Sequence, residues 1–195
     1  MHHAAVVVHH GNGGVTYAYV AFSENEIDGA ELLKRADLGA VTISFGGLGD
    51  GICMIEKEGC PPAECQKRMC QNGSADSPFW QFYQLGSGGD WQIAALGASS
   101  VKLRDGDVSG WSWTGAGANL PAASFAQIGM LAAQKAGGDG TALVWRTGPA
   151  RPTDASQSWV AFAEGAAVVT VAIGVASVII VRKRRVLPAG LFRDE

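Results

Sequence analysis

Between Gly165 and Val181 the sequence reads GAAVVTVAIGVASVIIV without a charged residue, and Arg182, Lys183, Arg184 and Arg185 follow at once. A surface helix keeps one polar face for water, so a run that is apolar all round suits hydrocarbon better than a packed core. Starting the segment at Ser158 brings it to the ~20 residues that cross a bilayer. Glu164 is the one charge in that extension, about one turn inside the outer boundary, and Trp159 and Phe162 beside it fit the headgroup level. The four cations set the direction, because positive residues flanking a span stay on the cytoplasmic side. The expectation is a single-pass membrane protein: residues 158–181 span, 182–195 form a basic cytoplasmic tail, and the N-terminal bulk lies outside the cell.

A secretory route calls for a signal peptide, and the opening MHHAAVVV has neither the basic start nor the apolar length. Two readings stand. Either translation begins upstream, or insertion is post-translational, and the second would leave the folded part in the cytosol.

A chain of 195 residues supports one compact domain with attachments. The net charge is −3, and the most compact basic run sits beside the apolar segment and not on a folded face, which argues against nucleic-acid binding. Residues 4–9 are a β-branched run, GNGG at 11–14 is a turn, and 15–22 alternates, so a β-hairpin is expected. Asp28 stands three residues before Glu31, the spacing of a capping box, and Ala30, Leu33 and Ala36 share a face before Gly39, which predicts a short helix over 29–37. Strands are expected at 41–45, 52–55, 79–85, 91–96, 100–103 and 108–113. The order of elements suggests an α+β fold, a β-grasp-like sheet with one packed helix, ending near Thr114. From 115 to 157 Gly, Ala, Ser, Thr and Pro dominate, which reads as a semi-flexible stalk with a weak helix over 122–136 at most.

All four cysteines crowd into one segment with the spacing C-x6-C-x4-C-x4-C. The close C-x2-C pair that presents two thiolates to one zinc is missing, so no metal is assigned. Outside the cell, Cys53, Cys60, Cys65 and Cys70 are expected to form two disulfides. Three connectivities are open, and Cys53 with Cys60 across the 56–59 turn is geometrically plausible. In a cytosolic protein the same four residues would instead be a thiolate metal site.

In the run FWQFY at 79–83, a strand puts Phe79 and Tyr83 on one face and Trp80 and Phe82 on the other, and Trp111 and Trp113 likewise share a face. These rings either fill the core or form a partly exposed platform, in which case Trp80, Tyr83, Trp91, Trp111 and Trp113 are the ligand-contact set. His9 and His10 point to opposite faces of a strand and are read, with His2 and His3, as surface residues. There is no nucleophile elbow, no P-loop and no Rossmann glycine fingerprint, so no residue is assigned a catalytic role and a non-enzyme is expected.

The helix entry IDGAELL at 27–33, the strand FWQFY at 79–83 and the ending RDGDVSGWSW at 104–113 together resemble the transcobalamin-like C-terminal domain family of bacterial surface proteins. The resemblance covers about 4–114. It implies a β-grasp-like binding module, which in eukaryotic relatives is one half of a clamp around cobalamin. Against that pattern, this chain adds the cysteine segment and the apolar C-terminal run. The expected function is a membrane-anchored extracytoplasmic ligand-binding or accessory module for uptake of a corrinoid or other cofactor, with a membrane transport complex as partner. The alternative is a disulfide-stapled interaction subunit of a membrane complex that binds no small molecule.

Overall fold

The hairpin forms as its residues dictate. Strand β1 (His2–His9) turns through GNGG, where Gly13 takes a positive φ of 83°, and pairs antiparallel with β2 (Val15–Phe22). The computed structural model describes residues 1–149 apart from Ala75, Ala116 and 136–141. Strand β3 (Ile27–Asp28) leads into helix α1 (Gly29–Arg35), where Asp28 Oδ1 accepts a hydrogen bond from the Glu31 N–H at 2.8 Å and Lys34 and Arg35 occupy the last turn. Capping one orphan donor and placing cations at the C-terminal end both favour this short helix. It is held mainly by Leu32 and Leu33, both fully buried, at about 1.5–3 kcal/mol each.

Strands β4 (Val41–Ser44), β5 (Asp50–Ile55) and β6 (Glu58–Gly59) form a small antiparallel sheet, followed by helix α2 (Pro62–Arg68). Then come β7 (Phe79–Leu85), β8 (Trp91–Ile93), β9 (Lys102–Leu103), β10 (Val108–Thr114), helix α3 (Phe125–Lys135) and β11 (Ala142–Thr147). The main sheet has the order β11-β2-β1-β10-β7-β8, antiparallel throughout except for the parallel pair β1–β10, and β3 pairs with β9. Along β1 the even residues Ala4, Val6 and Val8 join Trp80, Phe82, Trp111, Leu32, Leu33 and Ile55 in one core. The odd residues Ala5 and Val7 join Val108, Ile128, Ala132 and Trp145 in a second. A strand buried on both faces reads as an unbroken apolar run, which is why AAVVV at 4–8 does not alternate.

Two sequence expectations are corrected. The fold is mixed α/β and mostly sheet, with three helices among the described residues in place of the one helix of a β-grasp-like α+β sheet. Helix α2 arises inside the cysteine segment, where Pro62 supplies a fixed φ at the first helical position. The Gly/Ala-rich stretch read as a stalk supplies α3 and β11: Ile128 and Ala132, one turn apart, cover Ala5 and Val7, and Trp145 is buried beside them. Few apolar residues suffice there because the second face of β1 is already apolar and needs a cover. Among the described residues no helix is long and apolar enough to cross a membrane. The expected span at 158–181 and the cations Arg182, Lys183, Arg184 and Arg185 lie outside the described residues.

Candidate functional site

The four cysteines fold into one cluster. Cys53 on β5 bonds Cys65 on α2, and Cys60 after β6 bonds Cys70, which settles the open connectivity in favour of neither neighbouring pair. The Cys53 carbonyl accepts a hydrogen bond from the Cys60 N–H at 3.0 Å, and the disulfide-bonded Cys70 sulfur packs 3.6 Å from the same oxygen. Gly59 is required where β6 meets β5, because its φ is 137° and a Cβ there would overlap the Cys53 carbonyl oxygen. The sulfurs of Cys60, Cys65 and Cys70 lie within 4.8 Å of one another, near enough to share a metal ion as thiolates. As disulfides they carry no such charge, and thiolate is the form that ligates.

Beside this cluster runs an apolar cleft of about 320 Å³ lined by Phe45, Leu48, Gly49, Gly51, Met69, Ala95, Leu96 and Gly97. Three segments converge to build it. The Gly97 N–H donates to the Leu48 carbonyl and the Ala98 N–H to the Asp50 carbonyl, both at 2.8 Å, so the turn after β4 and the chain after β8 are laced together. Met69, in the left-handed region at φ 52°, brings the third segment in next to Cys70. A Cβ on Gly51 would come within 2.6 Å of the Phe45 ring and 3.1 Å of Met69 Cε, so its absence lets those side chains close over β5. Leu48 is 65% exposed, Leu96 and Phe45 are partly exposed, and Ile93 nearby in sequence is as open as Leu48.

A second cleft, about 340 Å³, runs along α3 between Tyr17, Ala123, Ile128 and Leu131. A third, of about 390 Å³ between Asp28, Glu31, Lys34, Asp37 and Asp50, is polar.

His10 is not a surface residue, as the sequence suggests, but only 3% exposed. Its Nδ1 lies 2.6 Å from Glu58 Oε2 and its Nε2 3.1 Å from Glu56 Oε2, while the Thr16 hydroxyl donates to Glu56 at 2.8 Å and Arg146 on β11 pairs with the same carboxylate. The Gly11 N–H donates to Glu58 Oε1 at 3.0 Å. Burial disfavours the His10 cation, yet the hydrogen bonds with Glu56 and Glu58 raise its pKa above 6.5. Burial likewise opposes ionisation of Glu56, but the bonds from His10, Arg146 and Thr16 hold its carboxyl down at about 2. With a carboxylate on each ring nitrogen, the protonated ring of His10 can bridge Glu56 and Glu58, and in that form it has no lone pair to offer a metal. No sequence spacing signals this network, since its members come from the turn after β1, from β2, from the β5–β6 turn and β6, and from β11.

The five rings singled out as a contact set are not brought together. Trp80, Trp111 and Trp113 lie on one face of the main sheet, with Phe82 stacked on Trp111 at 4.2 Å between ring centroids, and Trp80 and Trp111 are buried. Tyr83 and Trp91 lie on the other face, where the Trp91 ring covers Gly110 and its Nε1 donates to the Pro121 carbonyl at 2.9 Å. None of the five lines the three clefts described above.

No family model matches the chain, and no curated protein matches it. Among solved structures it is similar to the crystal structure of a candidate metal-binding protein from Ruminococcus gnavus, with 19% identity and a TM-score of 0.41 over 57% of this chain and 95% of that one.

Proposed function

We propose that residues 1–149 act as an extracytoplasmic binding module that takes a small molecule with a flat apolar face in the cleft of Phe45, Leu48, Met69 and Leu96. The observation that carries this reading is that apolar side chains stand in water on a frame laced by backbone hydrogen bonds and two nearby disulfides, the arrangement of a preformed site and not of a loose loop. The disulfides also support an extracytoplasmic location, because such bonds persist in oxidising compartments. Uptake of a corrinoid or another cofactor, as the accessory of a membrane transport complex, is the role this surface would serve. The contact set then moves from the tryptophans to the cleft.

Equilibrium dialysis of the full chain against cyanocobalamin tests the ligand. Saturable binding is expected, weakened about tenfold or more by Leu48→Asp, since one buried leucine is worth about 1.5–3 kcal/mol and tenfold is about 1.4. No binding at high micromolar ligand rejects the corrinoid. The alternative, an interaction subunit that binds no small molecule, is favoured by the second apolar strip on α3, where Met130 and Leu131 are exposed.

A further inference from the structure

We infer that the four-sulfur cluster is a thiol–disulfide exchange centre, with Cys60–Cys70 as the port for an external dithiol and Cys65 as the inner acceptor. The two bonds differ in access: Cys53 and Cys65 are fully buried, whereas Cys60 and Cys70 are half-buried. Cys60 is assigned as the attacked sulfur because both its chain neighbours, Gly59 and Pro61, are exposed, whereas Met69 and Gln71, the neighbours of Cys70, are themselves half-buried. The two bonds are also interleaved, Cys53 with Cys65 and Cys60 with Cys70, and the Cys65 sulfur lies within 4.8 Å of both outer sulfurs. Two ordinary structural disulfides gain nothing from that proximity. It is what exchange between them requires, since a thiolate must approach a disulfide sulfur directly.

A thiolate of the dithiol attacks Cys60 Sγ, a mixed disulfide forms, the Cys60–Cys70 bond breaks, and Cys70 leaves as thiolate. The second thiol of the reductant then attacks its own sulfur in the mixed disulfide and releases Cys60, so the dithiol departs oxidised, having given two electrons, and two protons reside on Cys60 and Cys70. Alternatively, the Cys70 thiolate attacks Cys65 Sγ, forms a Cys65–Cys70 bond, breaks Cys53–Cys65 and expels Cys53, which takes up a proton as a buried thiol. Burial disfavours the Cys53 thiolate. The inner bond is therefore the one that re-forms, and the outer bond is the one that cycles. The apolar cleft opens beside the port through Met69, next to Cys70, which suits a dithiol carried on a protein or an apolar small molecule.

The full-length protein is titrated with dithiothreitol, quenched with N-ethylmaleimide and mapped by peptide mass. The expected intermediate carries label on Cys60 and Cys70 while Cys53 and Cys65 remain joined. In Cys60→Ser, a minor fraction with a Cys65–Cys70 bond and label on Cys53 is expected at pH 8.5 beside the favoured Cys53–Cys65 form, and it forms at least about 100-fold more slowly at pH 5.5, where little thiolate exists at a Cys pKa of about 8.5. If both bonds open together or the inner one opens first, the port is wrong. If Cys60→Ser keeps only Cys53–Cys65 and a free Cys70 at both pH values, the inner acceptor is wrong; either result overturns the proposal. The wild-type mapping stands even if the variant fails to fold.

Discussion

At the scale of single residues, His10 illustrates how a buried imidazole is accommodated: two carboxylates and a threonine hydroxyl face its ring nitrogens, and Arg146 pairs with the deeper carboxylate, Glu56. In His10→Ala the Glu56 carboxylate keeps Arg146 and Thr16, and the partly exposed Glu58 keeps the Gly11 N–H, so the variant is expected to lose only the charge-assisted hydrogen bonds of the ring, about 1.5–3 kcal/mol of unfolding free energy. The pH dependence has two limbs. Because the folded His10 pKa is raised above 6.5, its contribution is complete below 6.5 and is lost as pH rises through the folded value. Because the Glu56 pKa falls from 4.5 to about 2, its contribution is complete above 4.5 and is lost as pH falls toward 2. His9, whose pKa burial lowers, opposes His10 and disfavours folding as pH drops below 6.5. Urea unfolding from pH 3 to 9 checks the assignment. The wild type should lose stability at both ends, and His10→Ala should lack the alkaline limb; an alkaline limb of unchanged depth in the variant would show that another group titrates there.

At the scale of elements, what was legible in the sequence is what forms locally. The hairpin follows from GNGG between two apolar runs, α1 from Asp28 three residues before Glu31, and β7 from its alternating aromatics. What was not legible depends on partners distant in the chain. The parallel pairing of β1 with β10, the interleaved disulfides and the burial of His10 leave no periodic trace. Strand β11 is the sharpest case. Its neighbourhood is rich in Gly and Ala, yet Trp145 stacks on Tyr17 at 5.5 Å between centroids and sits buried in the second core. Trp145→Ala separates the two accounts of this segment: a strand loses about 3–5 kcal/mol when a core tryptophan is truncated, and a stalk loses nothing. Hydrogen exchange should then show the amides of 15–20, which pair with β11, exposed first, while those of 108–114 stay protected.

At the scale of the whole molecule, stability is divided between a main sheet sandwiched by two apolar cores and a small β4–β5–β6 sheet with α2, whose buried apolar side chains are few. The disulfides compensate that smaller part. They close segments of 12 and 10 residues, and loops of this size each add about 2–4 kcal/mol by restricting the unfolded chain. The two loops overlap, since Cys60 lies inside the first and Cys65 inside the second, so their effects sum to less than twice one bond. Domains of this size hold about 5–15 kcal/mol in total. Full reduction is thus expected to remove a large share of the margin and to release the cleft walls before the main sheet, because Met69 adjoins Cys70 and Gly51 lies two residues before Cys53. Chemical denaturation with and without a dithiol, followed by exchange at 44–51 and 79–85 separately, distinguishes this from uniform loosening. If the reduced protein keeps its midpoint and its protection at 44–51, the cleft owes its rigidity to the hydrogen bonds of Leu48, Asp50 and Gly97 alone.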